Sequence, residues 1–387
     1  MDPMQGSSIK GGSDMNHTSS QQVVVDLFTS AGVEINGSRP WDIQVNKDLF
    51  FKRLMAGGSM ALGESYMDGW WECPRLDQFF DKILRARLDE KAKKSLRALW
   101  CRFKAMLTVS PGKFRAFEIG KRHYDIGNEL FSLMLDKSMN YSCGYWKNAD
   151  TLEAAQTSKM ELICQKLQLA PGMRVLDIGC GWGGLAAYMA RNHQVSVVGI
   201  TVSREQATLA KERCHGLPVD IRLVDYRDLN EPFDRIVSVG MFEHVGAARY
   251  KTFMGVVNRC LKDRGLFLLH TIAGNRSVRS SDPWISTYIF PNSMIPSGHQ
   301  SAAPAEPFFV LEDWHSFGPD YDPTLMAWYD NFVTHWEKIR HAYDDRFFRM
   351  WTYYLLACAG TFRARSNQLW QIVFSKGGVV PAYSSVR

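Results

Sequence analysis

A cluster of glycines in the middle of the chain has the spacing of a nucleoside-binding loop. In VLDIGCGWGG, Asp177, Gly179, Gly181 and Gly183 occupy alternate positions after an apolar run and directly before a helical pattern. Glycine tolerates positive φ and has no Cβ, so the main chain can approach a ligand closely. The spacing matches neither the dinucleotide fingerprint nor a phosphate-binding loop ending in Lys and Ser or Thr. It predicts a bound nucleoside, with tight strand-to-helix packing as the simpler alternative.

Residues with reactive side chains lie on both sides of this loop in the sequence. YSCGYW contains Cys143, VGMFEHVG contains Glu243 and His244, and LLHTI contains His270. Glu243 follows the predicted fourth strand and His270 ends the fifth, so both should lie at the carboxyl edge of the sheet. Carboxyl, imidazole and thiol groups can transfer protons there. Each has a structural alternative, because Cys143 could be a small buried apolar residue and His270 a hydrogen-bonded core histidine.

The elements that must position these residues follow a repeating pattern of strand and helix. We predict strands over 174–178, 195–201, 221–225, 235–240 and 265–271, and helices over 183–191, 203–213 and 249–261. Short β-branched runs that alternate with helical segments are typical of parallel βαβ units. The predicted fold class is α/β, a Rossmann-like doubly wound sheet, with a smaller, mainly helical N-terminal domain.

The composition is that of a folded protein with two domains. The chain has 387 residues, 45% of them apolar and 22% charged, which suits a principal domain and a substantial satellite. Its apolar runs end well short of the roughly 20 residues of a membrane-spanning helix. Residues 1–22 have no apolar signal core, so we expect a disordered leader and a cytoplasmic protein. Eight scattered cysteines without a C-x-x-C pair favour free thiols and argue against a metal site.

Residues 82–122 form a basic segment. They contain 13 Lys and Arg residues against three acidic ones, with Leu and Trp at roughly helical spacing. A solvated helix face, a nucleic-acid contact and attachment to anionic lipid headgroups all remain open, and the bulky apolar face favours lipid. We predict an N-terminal lipid-associated domain over 23–110, a linker over 111–122 and a catalytic domain over 123–387.

Eight motifs, taken in order, resemble one enzyme family. The glycine loop is similar to motif I of class I S-adenosylmethionine methyltransferases. The set GESYMDGWWEC, HYDIGNELF, YSCGYW, VLDIGCGWGG, MFEHVG, LLHTI, EDWHSFGPDYDPTLMAWY and ACAGTFRAR resembles the bacterial cyclopropane-fatty-acyl-phospholipid synthases over most of the chain. The resemblance implies transfer of a methylene group from S-adenosylmethionine to a cis double bond of a phospholipid acyl chain. It also implies a homodimer that works at the inner membrane surface.

The resemblance also assigns residues to the base of this reaction. A carbocation forms when the alkene attacks the activated methyl group, and a bound bicarbonate is implied as the group that removes its proton. The implied bicarbonate ligands are Cys143, Glu243, His270, the backbone of Ile272 and Tyr321.

Cofactor contacts come partly from the residues and partly from the resemblance. Tyr141, Ser142 and Val239 are carried over from the family to join Asp177 and the glycines. The second strand ends in Thr201, where many relatives of this fold place an acidic residue on the ribose. We therefore expect Thr201 and Gln206 to be neutral partners of the ribose, with Tyr226 near the adenine.

Three other functions fit parts of the sequence. An N-methyltransferase of a small amine or lipid headgroup would use the same cofactor domain, but a heteroatom acceptor needs no separate base for a carbocation. RNA methylation would use the basic segment and would depend steeply on salt. A non-catalytic lipid-binding protein could keep the cofactor as a structural ligand.

Overall fold

The computed structural model describes residues 12–88, 90, 91 and 127–387, with side chains from Ser20 onward. The linker predicted over 111–122 and most of the basic segment lie outside these residues. The described chain divides into two compact units. The N-terminal unit comprises the described residues up to 91 together with 282–289 and 344–360, and the catalytic unit comprises the rest.

Helices and strands are numbered here in chain order. The helices are α1 (Gly12–Thr29), α2 (Leu49–Met67), α3 (Leu76–Arg85), α4 (Asn128–Met134), α5 (Leu152–Lys166), α6 (Gly184–His193), α7 (Arg204–Arg213), α8 (Tyr250–Cys260), α9 (Pro283–Tyr288), α10 (Gly298–Ala302), α11 (Tyr321–Ile339) and α12 (Asp345–Arg363). The strands are β1 (Gln44–Val45), β2 (Trp71–Glu72), β3 (Arg174–Ile178), β4 (Ser196–Thr201), β5 (Val219–Leu223), β6 (Phe233–Val239), β7 (Leu261–Gly274), β8 (Val310–Ser316) and β9 (Asn367–Ser375).

The N-terminal unit is mainly helical, as the sequence predicts. Its short strands β1 and β2 pair antiparallel, and an aromatic core forms around Trp71, whose ring lies 5.4 Å from Phe79 and 5.2 Å from Tyr66. Helix α1 begins at Gly12, inside the leader that we expected to be disordered. Val24 and Phe28 of this helix are buried, which anchors its C-terminal turns.

Two later segments belong to the N-terminal unit, although the sequence analysis assigned them to the catalytic domain. They are α9 with its flanks, 282–289, and residues 344–360. Trp284 packs 4.5 Å from Tyr353, and a Cβ on Gly63 would come within 2.4 Å of the Trp284 indole. Aromatic residues this deeply buried must have a core to enter, but their sequence does not say which core they enter.

The catalytic unit is built on a sheet of seven strands within the described residues, in the order β5-β4-β3-β6-β7-β9-β8. Strands β3 to β7 are parallel, and β9 pairs antiparallel with both β7 and β8. The chain runs outward from β3 in one direction to β5 and then returns to β6 and β7. The strand order therefore reverses between β3 and β6, which is where ligands bind in doubly wound sheets.

The parallel half of the sheet agrees with the sequence prediction. Strand β3 matches it over 174–178, and the other four predicted strands overlap β4, β5, β6 and β7. Buried Val, Ile and Leu fill both faces of β3, as expected for a strand covered by helices on both sides. Strands β8 and β9 were not predicted.

Other sequence expectations concern membranes, metals and thiols. Within the described residues, none of the helices combines the length and the apolar character needed to cross a bilayer. Seven cysteines of the described chain are free thiols. The same part of the chain contains no cluster of three or more His, Cys, Asp or Glu side chains suited to a metal ion.

Candidate active site

The glycine loop turns the chain sharply between β3 and α6. Gly179, Gly181 and Gly183 have φ of 87°, 53° and 79°, values that residues with a side chain rarely adopt. A Cβ on Gly179 would meet Met241 at 2.8 Å, and one on Gly183 would meet the Cys214 sulfur at 2.9 Å. A Cβ on Gly181 would meet no protein atom within 4 Å. Of the three glycines, Gly181 is therefore the one that faces open space.

A cavity of about 470 Å³ opens above this loop. Nine of the ten residues predicted to contact the cofactor line it: Tyr141, Ser142, Asp177, Gly179, Gly181, Thr201, Gln206, Tyr226 and Val239. Gly183 is not among the lining residues. It precedes α6 in a left-handed conformation and packs against α7. Its neighbour Gly184 lines the cavity instead.

The lining residues that follow β4 and β5 along the chain carry neutral or ion-paired side chains. The Thr201 hydroxyl donates to Gln206 Oε1 at 2.9 Å, so the two predicted ribose partners lie next to each other. Asp225 is held by Arg227 in a bidentate ion pair. The Tyr226 ring packs edge-on against Phe253, 5.3 Å away. These contacts hold the side chains of this part of the lining in place.

The cavity lining also includes a buried carboxyl group, that of Asp177, and a buried amine, that of Lys159. Burial raises the pKa of Asp177 to about 7, an effect that the nearby Lys159 opposes, and Asp177 Oδ2 has no hydrogen-bond partner in the described chain. Lys159 donates to Ser142 Oγ at 2.8 Å and to Gln156 Oε1 at 2.6 Å. Burial lowers its pKa to about 8. Asp177 and Lys159 can therefore bind a charged group in the cavity.

Lys159 was not among the site residues predicted from the sequence, although its spacing in α5 could have identified it. In α5 the buried face includes Leu152, Ala155 and Ile163, and Lys159 falls on the same face at helical spacing. A lysine in register with apolar residues is unusual, since buried lysines are rare unless they are paired. Its position in this stripe identifies Lys159 as a candidate functional residue.

Glu243 lies in the turn that follows β6. Its Oε1 accepts a 2.7 Å hydrogen bond from the backbone N–H of Ile272, at the end of β7. Its Oε2 is buried and has no hydrogen-bond partner within the part of the chain that the structure describes. Burial raises the pKa of Glu243 to about 7, although hydrogen bonds to the carboxylate oppose the shift. One oxygen is thus held in place while the other can donate or accept a proton.

His270 lies on β7, and its ring is oriented by a second residue that the sequence analysis missed. Gln371 of the adjacent strand β9 places its amide Nε2 3.3 Å from His270 Nδ1. If that amide donates, Nδ1 is the acceptor and Nε2 carries the proton of the neutral ring. Nε2 is buried, and none of the described residues forms a hydrogen bond with it. Burial, reinforced by Lys159 and Lys166, holds the pKa of His270 well below its usual range, so the ring is neutral.

Cys143 lies beside the first turn of α11, the helix that begins at Tyr321. The Thr324 hydroxyl, one turn after Tyr321, lies 4.0 Å from the Cys143 sulfur. Burial raises the pKa of Cys143 well above its ordinary value, so the thiol is protonated. The Tyr321 ring packs 4.5 Å from Phe362 and 5.9 Å from Trp328.

The five residues predicted to form the base site do not line the large cavity. Ile272 is partly buried, and the side chains of the other four are almost fully so. Their chain neighbours Ser142 and His244 do line the cavity. Two of the predicted base residues, Cys143 and Glu243, therefore adjoin the cavity lining along the chain, and burial limits the access of water to all of the five except Ile272.

Aromatic rings pack around Tyr141, a residue that lines the cavity. Its ring lies 5.1 Å from both Phe131 and Trp328 and 6.2 Å from Phe290. Ring faces attract positive charge. Of these four rings, that of Tyr141 belongs to a residue lining the cavity, and it suits a cavity that holds a positively charged group.

A doubly wound sheet with a glycine loop at its switch point and a nucleoside-sized cavity is the arrangement of a class I S-adenosylmethionine methyltransferase. Comparison with known proteins assigns the family. The profile of the mycolic acid cyclopropane synthetase family matches residues 112–372, and the chain belongs to that family.

Several relatives agree with this assignment. The cyclopropane-fatty-acyl-phospholipid synthase of Escherichia coli strain K12 is 59% identical over 356 residues, which cover 92% of this chain and 93% of that protein. The solved cyclopropane synthase MmaA2 of Mycobacterium tuberculosis is 32% identical with a TM-score of 0.62, over 67% of this chain and 98% of that one. A mycolic acid cyclopropane synthase complexed with SAH and CTAB is 30% identical with a TM-score of 0.62, over 70% and 100%. The chain is therefore an enzyme that uses S-adenosylmethionine.

Proposed function

We propose that the enzyme transfers a methylene group from S-adenosylmethionine to the cis double bond of an unsaturated phospholipid acyl chain, forming a cyclopropane ring. The similarity to the Escherichia coli synthase supports this substrate over nearly the whole chain. The observation that carries the proposal is that Glu243 Oε2 and His270 Nε2 are both buried and have no hydrogen-bond partner among the described residues. Transfer to a nitrogen would leave this pair without a function.

The chemistry explains why a dry polar cluster is needed. The alkene π electrons form a bond to the methyl carbon of the cofactor while the carbon–sulfur bond breaks and its electrons stay on sulfur. The resulting carbocation closes to a ring when the added carbon loses a proton, and its C–H electrons form the last ring bond. Because the alkene is a weak nucleophile, proximity and exclusion of water must supply much of the acceleration. Water inside the site would trap the cation.

The base in this proposal is a bound bicarbonate, which would accept the proton. The residues present fit such an anion. Glu243, protonated over much of the neutral range because burial raises its pKa to about 7, can donate from Oε2. His270 can donate from Nε2. The protonated Cys143 thiol already donates to the Gly144 carbonyl oxygen, 3.1 Å away, so it would have to turn to reach an anion. The N–H of Ile272 is already bonded to Glu243, so only its carbonyl is available, as an acceptor for a hydroxyl group.

We also propose that the enzyme reaches its substrate by binding the cytoplasmic membrane surface through residues 82–122. The described part of this segment contains Lys82, Arg85, Arg87 and Lys91, and each basic residue near an anionic surface contributes about 1 kcal/mol. The family resemblance adds the expectation of a homodimer. Binding to anionic vesicles that is unchanged after the basic residues are neutralised would contradict the attachment model.

The test of the reaction uses S-adenosylmethionine with a fully deuterated methyl group and vesicles of a monounsaturated phospholipid. Mass analysis of the acyl chains should show one added carbon that keeps two deuterium atoms, with loss of the double bond. The third deuterium should leave to solvent as the base removes it.

Three other outcomes would contradict the proposal. A headgroup carrying all three deuterium atoms would identify an N-methyltransferase. Label in added RNA would identify an RNA methyltransferase. Vesicle binding and cofactor binding without any transfer of label would identify a non-catalytic lipid-binding protein.

A further inference from the structure

Lys159 is a buried cation without a charged partner in the described part of the chain. Its side chain is 1% exposed, and its hydrogen bonds go to Ser142 and Gln156, both neutral. Asp136 and Asp177 act on it only at longer range. A buried charge is costly unless an opposite charge or strong hydrogen bonds compensate it. This lysine therefore favours an anion that binds nearby.

The residues proposed to hold the base-site anion bring no cation of their own. The pKa of Glu243 is raised and that of His270 is lowered, both mainly by burial, which favours the neutral form of each. Burial likewise keeps Cys143 protonated by raising its pKa. Neutral donors can orient an anion, but they do not balance its charge in a site that excludes water. The balancing cation must come from another residue.

Two buried lysines lie within electrostatic reach of His270, because both lower its pKa. Lys166 is already committed, since its Nζ lies 3.6 Å from the Asp313 carboxylate and 3.0 Å from His315 Nδ1. Lys159 also lies within electrostatic reach of Cys143. Of the two lysines, only Lys159 lacks an ion pair among the residues that the structure describes.

We propose that Lys159 is a positioning residue that supplies the counter-charge for the anion at Cys143, Glu243 and His270 and so sets the affinity of the site for bicarbonate. This inference rests on the proposed function, which places an anionic base there. Through Ser142, Lys159 also touches the wall of the cofactor cavity. The competing role is therefore to bind the carboxylate of the cofactor.

The experiment compares Lys159→Met and Lys159→Gln, which both remove the charge, with Lys159→Arg, which keeps it. Lys211→Met is the matched control, because Lys211 is an exposed lysine on α7 outside the cavity. The melting temperature of each purified full-length protein is measured with increasing bicarbonate against chloride at equal ionic strength. The affinity for S-adenosylmethionine is measured by calorimetry, and the bicarbonate concentration that gives half-maximal activity is determined in degassed buffer.

Bicarbonate should stabilise the wild-type protein and Lys211→Met equally, since a ligand that binds the native state raises its stability. Both neutral variants should require at least about tenfold more bicarbonate for the same stabilisation and the same fraction of maximal activity, while cofactor affinity changes less than about twofold. They should also be at least as stable as wild type in chloride, because removing an uncompensated buried charge relieves its desolvation cost. Lys159→Arg should respond to bicarbonate more like wild type than the neutral variants do.

The outcomes separate this inference from the proposed function. If the wild-type protein does not respond to bicarbonate, the base proposal fails and the counter-charge proposal fails with it. If the wild-type protein responds and the neutral variants respond equally, only the role of Lys159 is overturned. A loss of cofactor affinity with an unchanged bicarbonate response would assign Lys159 to the cofactor carboxylate instead.

Discussion

The backbone N–H of Ile272 donates a 2.7 Å hydrogen bond to Glu243 Oε1 and so joins the end of β7 to the turn after β6. This bond fixes the carboxyl group and leaves Oε2 as the atom free to interact with a ligand. It also removes the Ile272 N–H from the set of anion donors. The two residues therefore act as one unit, in which the backbone of one orients the side chain of the other.

Substitutions at Glu243 distinguish a donor from a base. In Glu243→Gln the amide can still accept from Ile272 and can donate from the position of Oε2, so kcat should fall only about tenfold. Glu243→Leu removes both functions and should lower kcat about 10³-fold. Calorimetry should show unchanged affinity for S-adenosylmethionine in both variants. If Glu243→Gln is as inactive as Glu243→Leu, Glu243 is itself the base.

The same substitution should change how stability depends on pH. Burial raises the pKa of Glu243 from 4.5 to about 7, so between these values the folded protein holds a proton that the unfolded chain has released. Stability of the wild type should therefore fall, relative to Glu243→Gln, as pH rises from 4.5 to 7, by on the order of 3 kcal/mol in all. Above pH 7 the difference should stay constant.

Denaturant unfolding of the two proteins at several pH values measures this difference. Asp177, whose pKa is also raised to about 7, is present in both proteins and cancels in the comparison. Parallel stability curves from pH 4.5 to 7 would show that Glu243 ionises normally in the folded state.

Gln371 should control the tautomer of His270. Gln371→Leu removes the 3.3 Å contact to Nδ1 and should lower kcat about tenfold without changing cofactor affinity. At a pH where its carboxyl group is ionised, Gln371→Glu offers only acceptors, so Nδ1 must carry the proton and Nε2 becomes a bare acceptor facing the site. Its loss of activity should be larger than that of Gln371→Leu.

The ¹⁵N chemical shifts of His270 report the tautomer directly. Wild type should show Nε2 protonated and Gln371→Glu should show Nδ1 protonated. Gln165→Leu, which removes an exposed glutamine side chain from α5, is the control and should change neither the shifts nor kcat. Identical tautomers in wild type and Gln371→Glu would remove the role assigned to Gln371.

Gly181 and Gly172 form a matched pair for testing the cofactor loop. Both have positive φ, 53° and 81°, and a Cβ on either would meet no protein atom within 4 Å. Alanine at each position should cost about 1–2 kcal/mol of stability from backbone strain. Gly181 lines the cavity and Gly172 does not, so only Gly181→Ala should weaken S-adenosylmethionine binding, by at least about tenfold. Equal affinities of the two variants would place the cofactor elsewhere.

The sequence was sufficient for the parallel half of the sheet and for the loop at its switch point. Strand β3 is a run of apolar residues that ends in glycines, and both features are local. Carboxyl ends of parallel strands meet at one edge, so the positions of Asp177, Thr201 and Val239 around one cavity follow from their places in the chain. Gly183 was predicted to contact the cofactor but does not line the cavity. A glycine needed for the approach of a ligand and one needed for helix packing look the same in the local sequence.

Only the tertiary structure decided which distant residues support the site. Gln371 reaches His270 because β9 inserts antiparallel between β7 and β8, and no periodic pattern specifies strand order. Residues 284 and 353 enter the N-terminal unit for the same reason, since a hydrophobic residue encodes burial but not its partner. Side-chain type and spacing along the chain fix local conformation and the tendency to be buried. The partner that each buried group meets, and hence its pKa and its remaining hydrogen-bonding capacity, depends on contacts between residues far apart in sequence.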